Sequence, residues 1–85
     1  MTAWTPADRA QYARDLGLEI RFARLRHQPK LTIEAAAKRL NVSAGALGSW
    51  ERADRAVTVD VLKMIAAAYG VDVVGLLPYW RRPGD

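Results

Sequence analysis

The sequence of 85 residues contains no cysteine and only one histidine, His27. Without cysteine the chain can form neither a disulfide framework nor a thiolate metal site, and one imidazole cannot build a zinc site. We therefore expect no metal and no cofactor. The hydrophobic core must come from aliphatic side chains and from the three tryptophans of the sequence.

Long hydrophobic runs are absent as well. No apolar stretch approaches the roughly 18 residues that a membrane-spanning helix needs, and the N-terminus lacks the basic start and apolar stretch of a secretion signal. We therefore expect a cytoplasmic protein without a membrane partner. The length fits one domain, residues 1–85, with a single core that buries roughly 60 to 65% of the surface of the unfolded chain.

Positive charge exceeds negative charge by four, and the excess is concentrated in one part of the chain. Residues 21–55 carry eight basic and three acidic side chains, a net charge of +5, whereas residues 1–20 have a net charge of −1 and residues 56–85 are neutral. A local basic excess of this kind is typical of a surface that contacts phosphates. A solvated, arginine-rich surface explains the charge alone equally well.

A first helix is predicted from Pro6 to about His27. Thr5 is in position to cap it, proline suits the first helical position, and Asp8 places an acid in the first turn. The helix ends near Pro29, because the residue before a proline is pushed out of the α region.

Two apolar stripes follow helical spacing along this helix, so we expect both to be buried on one wide face. Gly17 lies among them and marks either a kink or a boundary after an N-terminal extension, residues 1–15. One stripe consists of Ala13, Leu16, Ile20 and Ala23, and the other of Leu18, Phe22 and Leu25.

Two short helices joined by a tight turn are predicted within residues 32–52. Thr32 caps the first and Ser43 the second, since each hydroxyl can accept a hydrogen bond from a backbone N–H at a helix start. Asn41 tolerates the left-handed conformation that a tight helix exit needs. The inner faces comprise Ala36, Ala37 and Leu40 on one helix and Leu47 and Trp50 on the other.

Downstream signals predict two more helices. Thr58 is predicted to cap a helix over residues 59–69, and Gly70 can adopt the left-handed conformation that follows a helix end. Asp72 is predicted to cap a fifth, short helix, which ends before the proline that opens the C-terminal tail, residues 78–85.

This pattern resembles the Cro/C1-type phage-repressor family of helix-turn-helix proteins. The resemblance implies an all-α, five-helix, lambda-repressor-like DNA-binding domain, here with an extended N-terminal helix. Residues 47–59 resemble in particular the DNA-binding domain of an actinobacterial development regulator. The residues that match the family are Leu31, Ala37, Leu40, Val42, Ser43, Leu47, Trp50, Glu51, Leu62, Ile65, Ala66, Gly70, Val71, Leu76 and Leu77.

In the resembled family the second helix of the motif lies in the major groove of DNA. This chain departs from the family's usual longer polar or basic residues, and only one of its base-facing positions offers a side-chain hydrogen bond. We interpret the small residues as allowing the helix backbone to approach the duplex closely, with alanine methyls against thymine methyls. Close approach to a protein is the rival interpretation. The positions are Ala44, Gly45, Ala46, Gly48 and Ser49.

Phosphate contacts need donors rather than a particular base code. Thr32 and Ser43 stand at helix N-termini, which favour anions. Arg52 and Arg55 follow the second helix, where the resembled family contacts the DNA backbone. The resemblance also implies an internal ion pair between Arg26 and Glu51.

No catalytic arrangement is recognisable, so we expect no enzyme and no small-molecule substrate. His27 has no acid or thiol at a catalytic spacing, no serine has a positioned base, and no glycine-rich phosphate loop is present. We expect a small sequence-specific regulator of transcription that binds double-stranded DNA. Because 85 residues leave no room for an activating or ligand-sensing domain, repression by operator occupation is favoured. The alternative is a protein-interaction module, or an antitoxin-like partner, that keeps the same fold.

A homodimer on DNA is expected, because one short recognition helix covers few base pairs and two half-sites about 34 Å apart double the contacts. Residues 76–80, which end in an aromatic pair, are the predicted dimer surface.

Overall fold

The computed structural model describes residues 3–79, which form four α-helices and one 3-10 helix, with no strand among them. The helices are α1 (Pro6–Arg26), α2 (Ile33–Leu40), α3 (Ala44–Glu51) and α4 (Val59–Tyr69). The predicted all-α architecture is confirmed. The fifth α-helix is not formed, because Val73–Leu76 is a single 3-10 turn for which Asp72 provides no side-chain cap. None of the helices within residues 3–79 is both long and apolar enough to cross a bilayer.

Helix α1 begins with the predicted cap. The Asp8 backbone N–H donates to Thr5 Oγ1 at 3.1 Å, and the Thr5 N–H donates to Asp8 Oδ2 at 2.9 Å, which makes a reciprocal capping box. The helix then continues for 21 residues through Gly17. An ideal Cβ at position 17 would lie only 2.5 Å from the Glu51 carbonyl oxygen. Glycine is therefore required here by the close approach of α1 to the end of α3, not by a boundary.

Only one of the two apolar stripes of α1 reaches the core, and its first residue, Ala13, is exposed. Ile20 and Ala23 lie in the core, whereas the second stripe is exposed, at 42% for Leu18, 43% for Phe22 and 48% for Leu25. The prediction of a wide buried face is wrong. Helix α1 contacts α3, α4 and the 3-10 turn on one side, and at about 100° per residue the second stripe lies on the opposite side of the helix.

The core is enclosed by all five helical segments: α3, α4 and the 3-10 turn contact α1, and α2 packs on α3 and α4. Trp50 is buried, as predicted, and the largest side chains that are fully buried are Ile20, Leu47, Ile65 and Leu76. The remaining apolar members are Ala23, Leu31, Ala36, Ala37, Leu40, Leu62, Ala66 and Tyr69.

The turn between α2 and α3 follows the sequence signals. Thr32 Oγ1 accepts from the Ala35 N–H at 3.1 Å, and Ser43 Oγ accepts from the Ala46 N–H at 3.0 Å. Asn41 is left-handed, with φ 59° and ψ 43°. These bonds fix the directions of both helices, so the turn sets the orientation of α3 on the domain surface.

Helix α4 begins and ends where predicted, at Val59 and Tyr69, although its cap lacks the side-chain hydrogen bond. Gly70 adopts the left-handed conformation, with φ 69°. Thr58 stands at the cap position, but its side chain accepts no backbone hydrogen bond; its hydroxyl donates to the Asp60 carboxylate. This hydrogen bond lowers the pKa of Asp60.

Candidate nucleic-acid interface

Helix α3 presents a first turn of small residues to solvent. Gly45 and Ser43 are exposed, whereas Ala44, Ala46 and Ser49 are half-buried. A Cβ at position 45 would meet only Ser43 Oγ, at 3.9 Å. Gly45 therefore leaves the backbone of α3 uncovered by a side chain at this point, and no packing contact requires glycine there.

Gly48 occupies a different environment from its neighbours, because it is buried under an arginine side chain. An ideal Cβ here would lie 2.8 Å from Nη1 of Arg52 and 3.6 Å from Cδ1 of Ile33. The guanidinium thus fills the space that a side chain at position 48 would take. A shift of the flexible, exposed Arg52 side chain would accommodate an alanine here, so glycine is not required, but the contact places Arg52 directly over the helix.

Arg52 is also oriented by Asp54, since its Nε lies 3.0 Å from Asp54 Oδ2. The two side chains are 63% and 62% exposed, so this pair contributes at most about 1 kcal/mol and is easily exchanged for another anion. Arg55 is exposed, and its backbone N–H donates to the Ser49 carbonyl at 3.3 Å. The loop after α3 therefore folds back on the helix, with Ala53 left-handed at φ 63°.

A cavity of about 290 Å³ opens beside these residues, between α1, α2 and α3. Arg21, Arg24 and Arg52 contribute to its lining, together with Ile33, Gly48 and Glu51. Its one carboxylate, Glu51, is hydrogen-bonded to Arg24, so the lining also holds the positive charges of Arg21 and of Arg52, whose partner Asp54 is exposed. Thr32 caps the helix that begins at Ile33, so the N–H groups of the first turn of α2 are close by.

Arg21 is the member of this cluster that sequence reasoning missed. It lies three residues before Arg24, and residues three apart share a side of a helix. That spacing identifies Arg21 only after Arg24 is known to point toward α3.

The predicted pairing of Arg26 with Glu51 is wrong, since Glu51 pairs with Arg24. Arg24 Nε donates to Glu51 Oε2 at 2.8 Å, Nη2 donates to Oε1 at 3.0 Å, and Nη1 donates to the Leu31 carbonyl at 3.3 Å. The side chains are only 10% and 6% exposed. Arg24 follows Ile20 by one turn on the buried face, whereas Arg26 is exposed because it projects about 200° further round α1.

The hydrogen bond from Arg24 to Glu51 raises the pKa of Arg24, so the guanidinium stays charged. Tyr69 lies near this pair, and burial raises the pKa of its phenol to about 12. The Tyr69 hydroxyl is buried and has no hydrogen-bond partner among residues 3–79. The pair anchors the last residue of α3 to α1, so it sets the position of the candidate recognition helix.

Arg39 makes structural hydrogen bonds and does not belong to the group of arginines beside α3, which consists of Arg21, Arg24 and Arg52. Its Nη1 donates to the Ala68 carbonyl at 3.1 Å and lies 3.3 Å from His27 Nε2. His27 Nδ1 in turn lies 2.9 Å from the Pro29 carbonyl oxygen. These bonds tie α2 to α4 and to the loop after α1.

The predicted dimer surface, residues 76–80, is divided by the fold. Leu76 is completely buried in the core and cannot contact a second subunit, whereas Leu77 is 41% and Tyr79 88% exposed. The prediction for Leu76 is therefore wrong. Trp80 lies outside the described residues.

Comparison with known proteins agrees with this geometry. The sequence model of the helix-turn-helix family matches residues 20–76, which is more than half of the chain, and the chain therefore belongs to this family, of the Cro/C1 type. No match was found among curated proteins.

Two solved structures are similar over most of their length, and both are DNA-binding domains of BldD. One, a crystal structure, is 39% identical and aligns with a TM-score of 0.73 over 81% of this chain and 97% of that chain. The other, from S. venezulae, is 40% identical, with a TM-score of 0.70 over 80% of this chain and 99% of that chain. The resemblance seen in residues 47–59 is thus confirmed across the domain.

Proposed function

We propose that this protein is a regulator of transcription that binds double-stranded DNA in a sequence-specific manner through α3. The observation that carries the proposal is that the small residues of the first turn of α3, which leave its backbone accessible, are flanked by Arg21, Arg52 and Arg55. Membership of the helix-turn-helix family and the likeness to the BldD DNA-binding domain support it.

The first turn of α3 suits close contact with base edges. Gly45 and the methyl groups of Ala44 and Ala46 allow the helix backbone to approach the floor of the major groove, where the alanine methyls can contact thymine methyls. Ser49, half-buried at the next turn, supplies the side-chain hydrogen bond to a base. Base preference therefore depends on the fit of α3 to the groove and on apolar contacts at most base positions. At one further position it depends on the Ser49 hydroxyl.

The arginines beside α3 supply the phosphate contacts. Arg52 lies over Gly48 and exchanges the exposed carboxylate of Asp54 for a phosphate oxygen, a replacement of one anion by another. Arg21 brings a second cation from α1 to the same cavity, and Arg55 extends the basic surface beyond the end of α3. The capped N-termini of α2 and α3, at Thr32 and Ser43, add backbone N–H donors.

Repression by operator occupation is the simplest mode of action for such a domain, and we propose a homodimer on DNA. A single α3 reads few base pairs, so a palindromic site doubles the contacts. The exposed Leu77 and Tyr79 are the part of the predicted dimer surface that the fold leaves accessible.

Selection of bound duplexes from a random pool at several salt concentrations tests the proposal. An enriched motif is expected, with affinity that falls steeply as salt rises. Arg21→Ala, Arg52→Ala and Arg55→Ala should each reduce the salt slope by about one, whereas the matched control Arg26→Ala, on the opposite side of α1, should leave it unchanged. No binding at low salt would favour the alternative, in which α3 packs against a protein.

A further inference from the structure

A second cavity, of about 260 Å³, lies between the N-terminal half of α1 and the loop after α3. The family match begins at residue 20, so the α1 wall of this cavity comes from residues outside the matched region. The wall on α1 consists of Arg9, Tyr12, Ala13 and Leu16, and the opposite wall of Trp50, Ala53, Arg55, Ala56 and Val57.

The floor of the cavity is apolar. Leu16 and Val57 are half-buried, and Trp50 is only 6% exposed. The Trp50 indole Nε1 is buried and has no hydrogen-bond partner among residues 3–79.

The edge of the cavity is positively charged. Arg9 and Arg55 are exposed and line it from opposite sides, and none of the described residues in its lining is acidic. An apolar interior with a few converging polar groups is the usual character of a small-ligand site, and two guanidinium groups select a carboxylate or a similar anion. The volume fits a molecule with one ring or a short chain.

We propose that this cavity binds a small organic acid, with its carboxylate between Arg9 and Arg55 and its apolar body against Leu16, Trp50 and Val57. Bound acid occupies Arg55 and so weakens DNA binding. This second step rests on the proposed function, in which Arg55 contacts a phosphate. Because linkage is reciprocal, DNA must weaken binding of the acid by the same factor. The domain would thereby sense a ligand without a separate sensor domain.

The experiment uses phenylacetate as the probe and phenylacetamide, its neutral isostere, as the control ligand. The ¹⁵N-labelled full chain is titrated with each, and the indole N–H resonance of Trp50, assigned with Trp4→Phe and Trp80→Phe, is followed by NMR. Affinity for the enriched duplex is then measured with and without phenylacetate. The variants are Arg9→Gln, which removes one cation, Ala13→Phe, which fills the space, and Arg14→Gln, a matched control on α1 outside the cavity.

Phenylacetate is expected to shift the Trp50 indole resonance saturably, and phenylacetamide is not. Arg9→Gln should weaken binding of phenylacetate on the order of tenfold, Ala13→Phe should abolish it, and Arg14→Gln should not change it. Saturating phenylacetate should weaken binding to the duplex about fivefold or more.

An absent shift at millimolar phenylacetate, or an equal response to phenylacetamide, would overturn the ligand site while leaving DNA binding intact. A saturable shift without any change in duplex affinity would overturn the coupling through Arg55. If the chain binds no DNA at all, the proposed function fails, yet the shift still decides whether the acid site exists.

Discussion

The ion pair between Arg24 and Glu51 is predicted to be a major determinant of stability. Both side chains are nearly buried, and two parallel hydrogen bonds of 2.8 and 3.0 Å join them. Replacing either residue by alanine strands the other charge away from water, which should cost about 3 to 5 kcal/mol. A domain of 85 residues has a total stability of roughly 4 to 13 kcal/mol, so each single variant should approach unfolding.

The double variant should be far less destabilised than the sum of the two single variants, because removing both charges leaves nothing stranded. Replacement of the pair by Met at position 24 and Gln at position 51 should cost less than either alanine variant. Urea titrations followed by far-ultraviolet circular dichroism give the free energies of unfolding. The matched control is Arg26→Ala, an exposed arginine on the same helix, whose change should stay within about 0.5 kcal/mol.

The reasoning would be refuted if Arg24→Ala and Glu51→Ala were as mild as Arg26→Ala and additive with each other. That result would mean that water reaches the pair in solution and screens it. The position of α3 relative to α1 would then depend on the apolar contacts of Trp50 rather than on this pair.

Three further predictions concern packing, pH dependence and assembly. Gly17→Ala should destabilise the fold by about 3 kcal/mol despite the better helix propensity of alanine, because the new methyl meets backbone carbonyl oxygens of α3 that cannot move aside. The control is Gly75→Ala, since nothing lies within 4 Å of a Cβ at that position, and equal urea midpoints for the two variants would contradict the close approach of α1 to α3. Burial raises the pKa of Tyr69 in the folded state from 10.0 to about 12, so the phenol loses its proton first in the unfolded state, and the free energy of unfolding should fall as pH rises from about 10 to 12. Tyr69→Phe should remove the part of this fall that Tyr69 causes, whereas an unchanged pH dependence of the free energy of unfolding would show that Tyr69 titrates normally. Combined Leu77→Ser and Tyr79→Ser should lower the stoichiometry on a palindromic duplex from two protomers to one in sedimentation experiments, whereas a single protomer of the parent chain at saturation would rule out the dimer.

Local features of this protein were predictable from its sequence because short-range chemistry decides them. The hydroxyls of Thr5, Thr32 and Ser43 cap the helices that follow them, because each accepts a hydrogen bond from the backbone N–H three residues further along the chain. Asn41 and Gly70 end their helices in the left-handed conformation, which few other residues adopt easily. The identity of the family followed from the same local pattern together with the apolar spacing of the motif.

Tertiary contacts decided what local patterns leave open. Two apolar stripes on α1 had equal spacing, and only the arrangement of the other helices determined that the stripe with Phe22 faces solvent. Likewise Arg24 and Arg26 were both cations near the end of α1, and a rotation of about 200° around the helix separates the partner of Glu51 from a surface residue.

The candidate sites show the same division. Sequence alone placed Arg52 and Arg55 after α3 and Gly48 within it, since position along the chain was sufficient. It could not show that Arg52 lies over Gly48, that Arg21 joins the cluster from α1, or that Trp50 lines a cavity beside α1. These facts depend on distances between residues remote in the chain, and such distances are set only when the helices pack.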